Sequence, residues 1–65
     1  MIYELITTTA YTKTVVATFD SFEDAVAFAN DTYTIIDFEE GASGDLPAAD
    51  FFASNGLVYS IQPAA

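Results

Sequence analysis

The sequence lacks cysteine, histidine, arginine and tryptophan altogether, and its single basic side chain is Lys13. Without cysteine or histidine, disulfides and zinc sites of the usual Cys/His kind are both excluded. Histidine is the commonest general base in enzymes, and arginine is the usual clamp on a transferring phosphoryl group. We therefore expect no catalytic activity and no bound cofactor. The absence of cysteine leaves the redox compartment undetermined.

Few routes to catalysis remain open to this composition. Four serines and eight threonines are present, but each would need a base and a group that stabilises an oxyanion. Ser43 lies near two glycines, yet residues 41–44 do not match the nucleophile elbow of hydrolases. Paired carboxylates cleave glycosides in other proteins. A chain of 65 residues without tryptophan hardly forms a sugar-binding cleft.

Acidic side chains dominate what is present. The sequence carries ten Asp and Glu against one Lys, which gives a formal net charge of −9 at pH 7. The composition is nevertheless 52% hydrophobic, whereas disordered acidic tails contain few apolar residues. We therefore expect one folded domain over residues 1–65. Ten aromatic residues exceed what so small a core needs, and we expect part of this surplus at an interaction surface.

No targeting or membrane-spanning segment is visible in the sequence. Residues 1–4 lack a basic region followed by a long apolar run. The longest apolar run, residues 25–29, is far shorter than the ~20 residues that span a bilayer. We expect a cytoplasmic protein, located in the host cytoplasm if the gene is viral. The negative charge would repel anionic lipid and nucleic acid, so we expect neither as a direct partner.

The first half of the chain predicts two strands and a helix. Residues 2–8 and 11–19 are rich in β-branched and aromatic side chains, which favour strands. Alternation in the second strand would place Val15 and Ala17 on one face. Residues 21–30 predict a helix, because Ser21 is a good N-cap and the apolar residues then recur at helical spacing.

The next segment predicts a third strand and then a loop. Residues 32–39 alternate as a strand would, with Ile36 and Phe38 on one face and Ile35 and Asp37 on the other. The following segment, residues 40–47, contains two Gly, a Ser and a Pro, which is typical of a loop.

The C-terminal part predicts a β-hairpin. Asn55 and Gly56 stand between two apolar runs, and this dipeptide favours a type I′ turn of two residues. Such a turn would place Phe52 opposite Tyr59. The alternative is a short helix over residues 47–53, with a proline near its first turn.

These elements together predict an α+β fold. Their order is ββαβ followed by the terminal hairpin. The natural arrangement is a single small domain with one helix packed on a four- or five-stranded, mostly antiparallel sheet.

The acidic residues form two groups along the sequence. The first group surrounds the predicted loop, and we expect it to bind a partner; it comprises Asp37, Glu39, Glu40, Asp45 and Asp50. The second group belongs to the helix and comprises Asp20, Glu23, Asp24 and Asp31. In a strand, Asp37 and Glu39 would present two charges about 6.6 Å apart on one face. A negative field of this kind steers a protein towards basic grooves.

The first acidic group leaves open an alternative role in binding a cation. Carboxylate oxygens in a glycine-containing loop are the ligands that Ca²⁺ and Mg²⁺ prefer. The spacing does not match the EF-hand pattern, and we expect no specific metal site.

In size and charge the chain resembles the small acidic phage-type inhibitors that mimic nucleic acid, such as anti-restriction and anti-CRISPR proteins. This resemblance is one of composition and implies an inhibitor or modulator of a basic nucleic-acid-handling protein. We therefore expect a non-enzymatic interaction module. The alternative is a self-associating structural or accessory protein, in which the apolar surplus forms a homodimer and the acidity only maintains solubility.

Overall fold

A computed structural model describes residues 1–64 of the chain. One five-stranded antiparallel sheet has the strand order β2-β1-β5-β4-β3, and a single helix packs on one of its faces. This arrangement confirms the predicted α+β fold. The elements in chain order are β1 Tyr3–Thr8, β2 Lys13–Phe19, α1 Phe22–Thr32, β3 Ile35–Ser43, β4 Leu46–Ala53 and β5 Val58–Pro63.

The helix α1 begins where the sequence predicts. Ser21 is the N-cap, and its Oγ accepts a hydrogen bond of 3.2 Å from the backbone N–H of Asp24. The helix ends at Thr32, two residues later than expected, and the N–H of Tyr33 donates to the carbonyl of Ala29. Ala25 and Ala29 are completely buried, so the helix backbone lies close to the sheet.

Aromatic side chains run across the whole helix-covered face. Tyr59 of β5 lies at the centre of this series, with its ring centroid 5.0 Å from Phe51 and 4.5 Å from Tyr33. Aromatic pairs at such distances each add about 0.5–1.5 kcal/mol beyond the burial of their area. The remaining contacts continue the series from one sheet edge to the other, through Phe38 on β3, Phe28 on α1 and Phe19 on β2.

Each of the two edge strands carries a bulge. In β2, Leu5 pairs with Ala17 but Ile6 pairs with Val15, so Val16 is an extra residue. The prediction that Val15 and Ala17 share a face is therefore wrong. Bulges on edge strands disfavour pairing with a further strand, which is how many native sheets avoid aggregation.

The bulge in β3 lies at Ile36, which is strongly exposed. Ile35 pairs with Ala53 and Asp37 pairs with Phe52, so Ile35 and Asp37 face opposite sides of the sheet, contrary to the alternation predicted. Ile35 lies on the helix-covered face and packs against the core.

The segment predicted as a loop over residues 40–47 is mostly strand. β3 continues to Ser43, a two-residue turn follows, and β4 begins at Leu46. Gly44 has φ +63° at the first turn position and Asp45 has a negative φ, which is the pattern of a type II′ hairpin turn. The alternative helix over residues 47–53 is likewise replaced by β4.

The terminal hairpin forms, but with a three-residue turn. The N–H of Gly56 donates to the carbonyl of Ala53 at 3.0 Å, and the N–H of Ala53 donates to Leu57. Gly56 has φ +88° whereas Asn55 does not enter the left-handed region, so the type I′ prediction is wrong. The geometry is that of a type I turn followed by a left-handed glycine.

The longer turn shifts the register of this hairpin by one residue. Phe51, and not Phe52, lies opposite Tyr59, and Phe52 lies opposite Val58. Because neighbouring residues of a strand face opposite sides, this shift exchanges the core residue for a surface residue. Phe51 is 2% exposed and Phe52 is 38% exposed.

Candidate interaction site

The sheet face opposite α1 is the candidate interaction site, and we call it the uncovered face. Within residues 1–64 no helix lies on it. Its side chains follow from the strand registers, because directly paired residues share a face. From β2 to β3 they are Lys13, Val15 and Thr18; Glu4, Ile6 and Thr8; Val58, Ser60 and Gln62; Leu46, Ala48, Asp50 and Phe52; and Asp37, Glu39, Gly41 and Ser43.

Three exposed carboxylates occupy the β3–β4 half of this face, and we call Asp37, Glu39 and Asp50 the acidic triplet. Glu39 lies directly opposite Asp50 across the two strands. Asp37 and Glu39 are two positions apart on β3, which separates them by about 6.6 Å. The Oγ–H of Ser60 donates a 2.7 Å hydrogen bond to Oδ1 of Asp50 and thereby orients that carboxylate.

An exposed apolar pair adjoins the acidic triplet. Phe52 pairs with Asp37 on one side and with Val58 on the other. Both apolar side chains remain well exposed. Together with the triplet and Phe51 they line a shallow depression of about 180 Å³. The depression therefore offers carboxylates and an aromatic surface within one contact area.

The structure brings together three of the five residues predicted to bind a partner. Asp37, Glu39 and Asp50 share the uncovered face. Glu40 pairs with Ala49 and belongs to the helix-covered face, and Asp45 lies in the turn between β3 and β4. The five residues therefore do not form one surface.

The second acidic group lies at the two ends of the helix. Asp20 precedes α1, Glu23 and Asp24 lie in its first turn, and Asp31 lies in its last turn. Acids near the N-terminus are favoured by the helix dipole, whereas Asp31 opposes it. None of these residues belongs to a strand of the sheet.

Sequence reasoning missed three contributors to the uncovered face. Glu4 on β1 lies between Thr18 and Gln62 and adds a half-buried carboxylate. The predicted hairpin register places Phe52 opposite Tyr59, one residue away from its actual partner Val58. Simple alternation from a correctly placed turn would have found both.

The described part of the chain contains no cluster of metal ligands and no membrane-spanning helix. Across residues 1–64 no three acidic side chains are grouped closely enough to hold a metal ion. The acidic triplet spreads its charge along the sheet instead of converging on one point. None of the helices described is both long enough and apolar enough to cross a bilayer.

Comparison with known proteins gives no match. No protein-family model, no curated protein and no solved structure corresponds to this chain. Its function is therefore proposed from its own residues.

Proposed function

We propose that this chain is a non-catalytic binding module whose uncovered face captures a basic surface of another protein. The observation that carries this proposal is the shared position of the acidic triplet and the exposed Phe52–Val58 pair. A partner with lysine or arginine beside an apolar side chain would satisfy both parts of this contact area.

The charge of the whole molecule supports a basic partner. Ten carboxylates and one lysine give the net charge of −9. A field of a single sign raises the rate at which an oppositely charged partner arrives, and complementary charges then fix the docked orientation. Lys13 is at the β2 edge of the uncovered face, away from the acidic triplet on β3 and β4.

Basic surfaces, and basic grooves in particular, are typical of proteins that handle nucleic acid. The resemblance in size and charge to small acidic phage-type inhibitors points in the same direction. Duplex DNA carries one charge per ~1.7 Å of axis, so two carboxylates at about 6.6 Å on one strand imitate it only sparsely. The apolar pair must therefore contribute to affinity, and we propose an inhibitor or modulator that combines both kinds of contact.

The test begins with capture of partners from a native lysate by the tagged protein at low salt. Each captured protein is then purified and titrated against three forms of the chain. The test variant is Asp37→Asn/Glu39→Gln/Asp50→Asn. The matched control is Asp20→Asn/Asp31→Asn/Asp45→Asn, which removes the same three charges from exposed positions outside the uncovered face.

The test variant is expected to bind at least tenfold more weakly than the control, a difference of about 1.4 kcal/mol. Binding of the unmodified chain should also weaken as salt rises, because exposed charges are screened beyond ~8–10 Å. Equal weakening by both variants would show that only net charge matters. Unchanged binding by the test variant would remove the uncovered face from the proposal.

A homodimer through the uncovered face remains the second candidate. It is favoured by the exposed apolar side chains there, notably Val15, Phe52 and Val58. It is opposed by the charge, since each copy brings −9 to the contact. Light scattering at low and high salt tests whether the dimer forms. A mass near 7.0 kDa under both conditions excludes the dimer.

A further inference from the structure

A groove lies on the other side of the sheet, between α1 and the edge strand β3. The helix packs mainly against β5, β1 and β2, so it leaves β3 partly open. Phe38 on β3 consequently remains 37% exposed although it stacks on Phe51. The groove has a volume of about 490 Å³, within the range of roughly 300–1,000 Å³ typical of ligand sites.

The lining of this groove is apolar with acidic walls. Phe22, Val26 and Ala27 contribute from the helix, and Phe38 contributes from the strand. Two carboxylates complete the walls, Glu23 on α1 and Glu40 on β3, together with the amide of Asn30. Every charged side chain of the groove is therefore negative.

We propose that this groove docks a short basic segment of a partner protein. One large apolar side chain of that segment packs against Phe38, and lysine or arginine side chains on either side of it meet Glu23 and Glu40. The charge complementarity argues for such an occupant. A second copy of this chain is a poor occupant, because it carries one lysine against ten carboxylates.

This groove is separate from the site of the proposed function. Glu39 and Glu40 are consecutive residues, but Glu39 pairs with Asp50 on the uncovered face whereas Glu40 pairs with Ala49 on the helix-covered face. The two residues carry the same side chain on the same exposed edge strand. The substitutions Glu39→Gln and Glu40→Gln are thus a matched pair that separates the two surfaces.

The probe is a synthetic eight-residue peptide with one central leucine, two lysines on each side of it, and serine elsewhere. It is titrated into the ¹⁵N-labelled chain, and binding is followed by amide chemical shifts. The shifts are expected to change in residues 22–30 and at Phe38, and not at Asp50 or Ser60. Two comparison peptides carry alanine in place of leucine or glutamate in place of lysine.

The expected result is at least threefold weaker binding for Glu40→Gln and no change for Glu39→Gln. Ala27→Phe should abolish binding, because Ala27 is exposed and a phenyl ring there fills the groove. Its amide spectrum verifies that this variant is folded. Both comparison peptides should bind at least fivefold more weakly than the probe.

Three outcomes overturn the proposal. The first is no shift at millimolar peptide, and the second is equal binding of the leucine and alanine peptides. The third is a set of shifts confined to the uncovered face that responds to Glu39→Gln. This last result would leave the proposed function standing while removing the groove as a docking site.

Discussion

Glu39 of β3 lies directly opposite Asp50 of β4 on the uncovered face. Like charges at directly opposed positions destabilise a sheet. Asp50 accepts a hydrogen bond from Ser60, a neutral group that does not cancel either charge. Departures from local stability rules are concentrated at functional sites. The pairing of Glu39 with Asp50 is therefore unfavourable for folding, as a site selected for the proposed binding role would be.

Replacing one member of this pair by a cation should stabilise the fold. We expect Glu39→Lys to raise the free energy of unfolding by roughly 1 kcal/mol, because repulsion becomes attraction across the strands. Urea unfolding at low salt, followed by circular dichroism, measures this change. Glu40→Lys is the control, since it alters net charge equally but lies opposite Ala49. An equal gain in both variants would assign the effect to net charge instead of the pair.

Phe51 and Phe52 should differ greatly in their contribution to stability. Phe51 is buried and stacks on Tyr59 at 5.0 Å, so Phe51→Ala should cost about 3–5 kcal/mol. Phe52 faces the uncovered side, and Phe52→Ala should cost no more than about 1 kcal/mol. Urea unfolding of both variants gives the comparison. A larger loss for Phe52→Ala would mean that the hairpin has the register of a two-residue turn.

The helix was predictable because its signals are local. Ser21 caps the first turn through a contact three residues away, and the apolar residues recur at the helical period over the next eight positions. The hairpin register was not predictable in this way. Phe51 and Phe52 are identical side chains, so either register buries a phenylalanine, and one extra turn residue decides between them.

The candidate site was only partly predictable for a related reason. The period of two correctly placed Asp37 and Glu39 on the same face. Their proximity to Asp50 depends on the β3–β4 register. That register was not predictable, because the Gly, Ser and Pro content of residues 40–47 is typical of a loop and not of two paired strands. The bulges at Val16 and Ile36 likewise arise from tertiary pairing and leave no clear mark in the sequence.

The left-handed conformation of Gly56 makes it sensitive to any side chain. Its φ of +88° is costly for an L-residue, so we expect Gly56→Ala to lower the free energy of unfolding by about 1–2 kcal/mol. Gly41→Ala is the control, because Gly41 has an ordinary φ and open space around it. Thermal unfolding of both variants provides the measurement. A neutral Gly56→Ala would contradict the three-residue turn.

Tyr33 should make stability decline at alkaline pH. Burial raises the pKa of the Tyr33 phenol, and the neighbouring Tyr59 hydroxyl raises it further. The folded state thus favours the neutral phenol more than the unfolded state does, where the pKa is about 10. This contribution is fully present below about pH 10 and is lost as the pH rises through the pKa of the folded state.

The variant Tyr33→Phe cannot ionise and should retain more of its stability between pH 8 and pH 11 than the unmodified chain. Urea unfolding at the two pH values gives the loss for each protein. Tyr11→Phe is the control, since Tyr11 is 95% exposed and should leave the alkaline loss unchanged. If Tyr33→Phe lost as much stability as the unmodified chain, the prediction would be wrong. The loss of stability at alkaline pH would then be caused by ionisation of other groups.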